Sequence, residues 1–325
     1  IEKIEVNNGV APWMLIFYLL RCGLLKDIHD QLTGNTYYQR TDPVLTSFLK
    51  ALIDAPHQVM SLQARAQVQA EFNQRQLQGP QDPFKVALLK IIGRCDLHKK
   101  TIPDLLQSSE DYLWLQLWLI KEDEPSNPST FTLSDLQKTI CEFGANYFSG
   151  STGGRPGNPL NYFQMLLLTG QFERAVGSLL MSAYHLEAVH VAIGCLYHNR
   201  LQISSSSGDN QIDFKGMIQE IMPILKQTVD KTGELQYILC LSLHDTLLPD
   251  AQSMVRQLVT AEGSDLVELL GDVLSDGRQQ DGLIKHFAPL LKLHNEQDFI
   301  KTIVVVSAER GEISLCFKGS IARDL

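Results

Sequence analysis

Helix punctuation recurs along the whole sequence, and it leaves little room for any architecture other than stacked helices. Asp82-Pro83-Phe84 places an Asp at an N-cap and a Pro in the first helical turn, and the apolar positions that follow (Phe84, Val86 to Leu89, Ile91-Ile92) run on to a closing Gly93. Asn158-Pro159 repeats the opening. The helix it starts, Leu160 to Thr169, stops at Gly170, and a second runs from Gln171 to about Ala183 with Phe172, Ala175, Val176, Leu179 and Leu180 on one face. That is an αα-hairpin. A third helix, Leu186 to His198, follows at once, and the pattern resumes at Phe214 to Val229, Glu234 to Leu243, Asp250 to Val259, Leu283 to Leu293 and Gln297 to Ala308. Thr132 caps another helix, with Asp135 in the reciprocal position of a capping box.

Helices of roughly 10 to 15 residues joined by short turns bury their apolar faces only against neighbours, so the expected fold is all-α, an irregular solenoid of stacked antiparallel helices. The spacing has no fixed period and no tetratricopeptide, ankyrin or leucine-rich signature. Residues 1–325 are expected to form a single helical region, with exposed loops near 122–129, 149–158 and 204–210, where Gly, Pro, Ser and Asn concentrate. Two stretches carry mixed signals. Leu113 to Leu119 alternates like a strand, but the Glu110-Asp111 opening suits a buried helix. Ile303 to Val306 and Ile313 to Phe317 carry β-branched weight and are assigned to helix as well.

The charge balance excludes some classes of function. The chain has 28 Lys and Arg against 37 Asp and Glu, a net charge of -9, which counts against direct nucleic-acid binding and against a polybasic membrane-surface protein. The longest apolar run, Trp13 to Leu20, falls far short of the roughly 20 residues of a membrane-spanning helix. A first residue other than Met suggests a piece excised from a longer protein, and no signal peptide is visible at Ile1. Six scattered cysteines (Cys22, Cys95, Cys141, Cys195, Cys240 and Cys316) contain no C-x-x-C pair and read as reduced, mostly buried thiols of an intracellular protein.

No catalytic motif is complete. His185-Leu186-Glu187-Ala188-Val189-His190 places its histidines five apart, which rotates them by about 140° on a helix, so one metal cannot take both. His185-x-Glu187 also matches the opening of the deaminase motif, but no Pro-Cys-x-x-Cys follows. Cys195 and His198 could share a site, yet His190 sits roughly 12 Å along the axis from His198; the plain reading is three helix residues, against a metal or thiol-nucleophile site. Gly150 to Gly157 lacks the Lys of a phosphate loop. Asp272 and Asp276 read as a solvated helix end rather than a catalytic pair. The aromatic stripes Tyr112, Trp114, Trp118 and Trp13, Phe17, Tyr18 read as core ahead of a peptide groove. No catalytic residue, metal ligand or cofactor is expected, and the residues that bind partners cannot be named from sequence.

Several blocks together resemble one family. Pro12-Trp13-Met14-Leu15-Ile16-Phe17-Tyr18 through Arg21-Cys22-Gly23 is similar to its opening helix, Asp82-Pro83-Phe84-Lys85 through Ile91-Ile92-Gly93-Arg94-Cys95-Asp96 to its second block, and Glu110-Asp111-Tyr112-Leu113-Trp114-Leu115 to its third. Leu133 through Phe148, Tyr162-Phe163-Gln164 through Ala175-Val176, and Ala188 through Ala192 continue the series in order. These resemble the nucleoporin-interacting-component family, the inner-ring scaffold nucleoporins of the nuclear pore complex; beyond Leu201 the likeness is helical character only. The resemblance implies a non-enzymatic, partly folded-back helical scaffold at the nuclear envelope that organises the pore for transport of protein and RNA. It implies binding of a short linker-nucleoporin peptide on the solenoid. The channel nucleoporin trimer and the large scaffold nucleoporins would bind mainly through an N-terminal region that this sequence does not contain. The alternatives are a vesicle-coat or tethering scaffold of the same architecture and, further off, a helical metal- or thiol-dependent enzyme around His190, Cys195 and His198.

Overall fold

Residues that cap and residues that pack alternate along the chain, and the computed structural model follows that alternation. It describes residues 4–79, 81–102, 104–122, 130–149, 157–204, 211–228, 231–261, 266–273 and 279–293, together with 299, 301, 303 and 305. The chain forms two compact units, Ile1–Phe148 and Ser149–Leu325.

The first unit is built of α1 (Pro12–Arg21), α2 (Leu25–Gly34), α3 (Thr36–Thr41), α4 (Pro43–Asp54), α5 (Leu62–Leu77), α6 (Pro83–Gly93), α7 (Ser109–Leu119) and α8 (Leu133–Ser149). Most of these helices open on a side-chain cap. Asn35, Asp42, Ser61, Asp82 and Ser108 accept from backbone N–H groups in the first turns of α3 to α7, which satisfies donors that have no carbonyl four residues earlier. At α8 the expected box is complete: the Thr132 N–H donates to the Asp135 carboxylate at 2.9 Å and the Asp135 N–H to the Thr132 hydroxyl at 3.2 Å. In α1 Trp13, Ile16, Phe17 and Leu20 share the buried stripe, while Tyr18 lies half exposed. Leu113 to Leu119 is helical, within α7.

A buried ionic cluster ties these helices to the segment before α1. The Arg75 guanidinium on α5 grips Asp42, the cap of α4, through two hydrogen bonds of 2.5 and 2.9 Å, and its Nε donates to Glu71 at 2.6 Å. Lys85 of α6 stands 3.7 Å from Asp42 and donates to Glu5 at 2.6 Å. Glu5 in turn accepts from the Trp13 indole and the Tyr37 hydroxyl, and its backbone N–H donates to Asp82. Burial on its own would raise the pKa of Asp42, but the bonds from Arg75 and the Leu45 N–H and the positive charges of Arg75 and Lys85 hold it below the ordinary carboxylate value.

Helices α5 and α6 are the most closely packed pair in this unit. Their approach explains a glycine that the sequence marks as a simple stop. A Cβ at Gly93 would meet Val68 Cγ1 at 2.5 Å and Cys95 Sγ at 2.7 Å, so Gly93 is needed for clearance. The left-handed residue that ends the helix is Arg94, with φ 50°.

The second unit contains α9 (Pro159–Leu168), α10 (Phe172–Leu180), α11 (His185–Tyr197), α12 (Phe214–Thr228), α13 (Lys231–Leu239), α14 (Leu248–Val259), α15 (Leu266–Leu270) and α16 (Leu283–Phe287). Asn158 caps α9, and Gly170 at φ +77° makes the tight turn into α10 that the hairpin expectation requires. Val176 and Leu179 of α10 pack with Ala188, Val189 and Ala192 of α11, and the same core continues through Phe214, Ile218, Leu235 and Val255. Among the described residues the fold is an all-α array of stacked helices, apart from two isolated bridges, Asn7 with Val10 and Ile203 with Ile212, and one short two-stranded sheet. Gly271–Val273 and Gln279–Asp281 form a two-stranded antiparallel hairpin, β1 and β2. Asp272 therefore lies on a strand and not at a helix end, and Asp276 lies outside the described residues. Gly271 holds φ +89°, and the Gln280 carbonyl fills the place a Cβ would take, a conformation and a contact that a helix would not supply.

Several boundaries differ from expectation for local reasons. The helix expected over Leu283 to Leu293 ends at Phe287: Pro289 has no N–H to bond the Lys285 carbonyl, and although Ala288 keeps helical backbone at φ -52° and ψ -38°, the chain goes on as turns. The one expected over Glu234 to Leu243 starts earlier, at Lys231, and tightens into a 3₁₀ turn at Cys240–Leu243. Residues 299, 301, 303 and 305 are helical, while Ile313 to Phe317 lies outside the described residues, as do the three expected loops apart from their ends. Of the five described cysteines only Cys95 is fully buried; Cys22, past the buried stripe of α1, is exposed, and Cys141, Cys195 and Cys240 sit half-buried on helix flanks. Among the described residues no helix is long and apolar enough to cross a membrane.

Two substitutions test this packing. Asp42→Asn keeps the cap but leaves the buried Arg75 cation with Glu71 as its remaining acid, and it should cost about 3 kcal/mol at neutral pH in urea unfolding. Because the folded pKa of Asp42 is lowered, its contribution is full above the unfolded value near 3.9 and drains away as pH falls through the folded value, so the two proteins should converge in stability only at the acid end. Gly93→Ala gains about 1 kcal/mol of helix propensity, but the collision with Val68 and Cys95 should outweigh it and leave a net loss of about 1–2 kcal/mol in the same measurement.

Candidate functional site

The connection from α6 to α7 is held by two buried polar side chains, and it shapes a concave surface of the first unit. The Lys90 ammonium donates to the backbone carbonyls of Lys99 and Thr101 and stands 3.6 Å from Asp96. Burial lowers its pKa, and the Asp96 carboxylate opposes that shift. From the other side the Gln116 amide of α7 donates to the Lys100 carbonyl at 2.7 Å, and the Trp118 indole donates to the Ile91 carbonyl at 3.0 Å. Cys95 points inward, with its thiol toward the Leu89 carbonyl and its pKa pushed up to about 12 by burial. With Arg94 and Asp96 both left-handed, the chain doubles back and presents Arg94, Leu97, His98 and Lys100 to one side.

Opposite them runs α5. Three adjoining basins of about 580, 200 and 270 Å³ share lining residues and make one trench: Arg94 lines all three, Gln69 and Phe131 line the first and third, and Arg65 the second and third. Its α5 wall carries Leu62, Arg65, Gln69, Asn73 and Gln76, positions spaced by three or four and therefore on one helix face. From Leu62 to Gln76 that face extends about 21 Å. Gln69 donates to Asn73 at 2.9 Å. The other wall carries Lys100, whose ammonium lies 3.7 Å from the centre of the Phe131 ring. Burial lowers the Lys100 pKa and the charge of Asp135 opposes it. Asp96 is the one acid among the described lining residues, and Lys121 adds a further cation. The trench thus mixes apolar floor, with Leu97, Trp118 and Phe131, and polar walls, with Arg65, Gln69, Asn73 and Gln76 on α5 and Arg94 and Lys100 opposite.

The sequence itself names no site, and the residues of its remote enzyme alternative lie on or at the end of α11. His190 is exposed on α11 and bonds the Tyr237 hydroxyl at 2.7 Å with the two rings stacked, while Cys195 is half-buried and its pKa is raised by burial and by Glu173. A raised pKa keeps a thiol protonated, the reverse of a nucleophile. His198 caps the end of α11. Among the described residues no group of three or more His, Cys, Asp or Glu is placed to hold a metal ion. Of the glycine-rich stretch, residues 150–156 lie outside the described residues. The aromatic stripes divide: Trp13 and Phe17 are core, Trp114 packs edge-on to Phe17 at 6.0 Å under the Arg21 guanidinium, and Trp118 lines the second basin of the trench. The trench wall itself has no counterpart among the sequence expectations. Helix α5 has little apolar periodicity, and the signal that finds it is its Ser61 cap followed by a run of Ala, Gln and Arg, all good helix formers.

The blocks that carry the family resemblance meet one another in space. Arg21 from the first bonds Asp111 from the third at 3.2 Å, and Lys85 from the second stands over the Trp13 ring of the first at 5.1 Å. They are joints of the fold. Among curated proteins the chain is 29% identical to the meiotically up-regulated gene 87 protein of Schizosaccharomyces pombe over 95% of its length, and 30% identical to nucleoporin NIC96 of Saccharomyces cerevisiae over 96%. It spans 38% and 37% of the lengths of those two relatives. It is also 30% identical to nuclear pore complex protein Nup93 of Danio rerio over 86% of its length, spanning 35% of that protein. The crystal structure of Chaetomium thermophilum Nic96 SOL superposes with a TM-score of 0.83 at 24% identity, covering 99% of this chain and 49% of that one, and it shares the fold. The Nup93/Nic96 family model matches residues 1–321, and the chain belongs to that family.

Proposed function

We propose that this chain is a structural scaffold of the inner ring of the nuclear pore complex, acting at the nuclear envelope to organise the pore for passage of protein and RNA. The observation that carries the reading is the match to the Nup93/Nic96 family over residues 1–321, in a chain whose family-marking residues are joints of the fold rather than members of a reaction centre. A stack of helices that interlocks through Asp42, Arg75, Lys85 and Glu5 offers broad, preformed faces, which suits holding neighbours at fixed distances. In this role the chain binds other nucleoporins. One partner is a short segment of a linker nucleoporin received on the helical surface, and the contacts with the channel trimer and the large scaffold nucleoporins lie mainly outside this sequence.

Fluorescent tagging of the full-length protein should give a continuous nuclear rim at endogenous expression. Scattered endomembrane puncta would instead support a vesicle-coat or tethering scaffold and would overturn the proposal. For the partner, titrating the purified chain with linker-nucleoporin peptides should give saturable binding, and failure of every such peptide would remove that contact from the reading.

A further inference from the structure

We infer that residues 4–10, the segment before α1, form a strap that opens independently of the helices, that Glu5 is its latch, and that the place Glu5 leaves is a seat for one carboxylate. The first ground is how little else holds the segment. Val6, Asn8, Gly9 and Val10 are exposed, and Ile4, Glu5 and Asn7 are half-buried. The Asn-Gly turn closes only on itself, through backbone bonds of 2.8 and 3.0 Å between Asn7 and Val10. Helix α1 opens at Ala11 without a side-chain cap, so nothing local fixes the chain as it enters. Among the described residues, every hydrogen bond that ties residues 4–10 to the helices or their caps is made by Glu5. A segment with exposed side chains and so few attachments lies at the low end of local stability.

The latch also sits at the rim of the ionic cluster it joins. The Glu5 side chain is 37% exposed, against 6% for Asp42, 9% for Arg75 and 8% for Lys85, so its departure leaves the Asp42–Arg75 pair in place. The second ground is the seat. Lys85 reaches one carboxylate oxygen at 2.6 Å, and the Trp13 indole and the Tyr37 hydroxyl donate to the other at 3.2 Å each. Donors from α6, α1 and α3 thus converge on both oxygens of one carboxylate, while Asp82 accepts the Glu5 N–H at 2.8 Å. Without Glu5 the indole N–H of a ring buried to 0% loses its acceptor, and Lys85 keeps only Asp42 at 3.7 Å. Donors left in that state favour refilling by a carboxylate. Asp42 and Asp82 stand beside the seat, so it suits a single negative charge.

Hydrogen exchange of the Trp13 indole, followed by NMR on the purified 325-residue chain, tests this, because its N–H is freed only when Glu5 leaves it. Relative to intrinsic rates, it should exchange at least about tenfold faster than the backbone amides of Ile16 and Phe17 in α1. Glu5→Ala should speed it by a further factor of about ten or more, and Glu5→Gln, which keeps an acceptor without the charge, by less. Both should leave the α1 amides protected. Val6→Ala, on the exposed part of the strap, should change nothing. Acetate should slow the exchange in Glu5→Ala, and chloride at the same ionic strength should not. Indole exchange in step with Ile16 and Phe17, loss of α1 protection in Glu5→Ala, an equal effect of Val6→Ala, or acetate acting no better than chloride would each overturn the inference. The scaffold role does not depend on the strap, and a normal nuclear rim would leave that reading standing in every case.

Discussion

The buried pairing of Asp42 with Arg75 is the interaction on which the first unit turns. Asp42 does two things at once: it caps α4 by accepting from the Leu45 N–H, and it receives both terminal nitrogens of Arg75 from α5. A cap is local and a salt bridge is long-range, so combining them fixes where α4 begins relative to where α5 passes. Lys85 extends the cluster to α6, and Glu5 extends it to the segment before α1. Charges buried this deeply gain little over a packed apolar core, but they penalise every arrangement in which one partner is displaced, and here they select a single docking of four elements.

The rest of the unit inherits that geometry. Once Asp42, Arg75 and Lys85 set the α5–α6 approach, Val68 lies where a side chain on residue 93 would have to go, and only glycine fits. The helix end then falls one residue later, to Arg94, whose left-handed backbone sends the chain back along α5. Lys90 and Gln116 hold the returning segment by its carbonyls, and the trench is the space left between it and the polar face of α5. The same run of residues, Ile91 to Asp96, thus serves in family recognition, close packing and surface shape.

How much of this was legible follows from what each element needs. Helices α6, α9, α10, α11, α12 and α14 announce themselves because a cap, a turn or a proline precedes an apolar period, and these signals are local. Helix α5 does not, since it is held by Val68, Phe72 and one buried arginine, and the acid that makes Arg75 buriable lies 33 residues away. The hairpin at Gly271 escapes sequence reading for a related reason: three residues on each strand hold too little periodicity to be read. The family blocks were legible as a pattern, but not their meaning as joints, because Arg21 to Asp111 spans 90 positions. The trench was the least visible feature, being made of residues from both sides of a fold contact, none of them unusual alone.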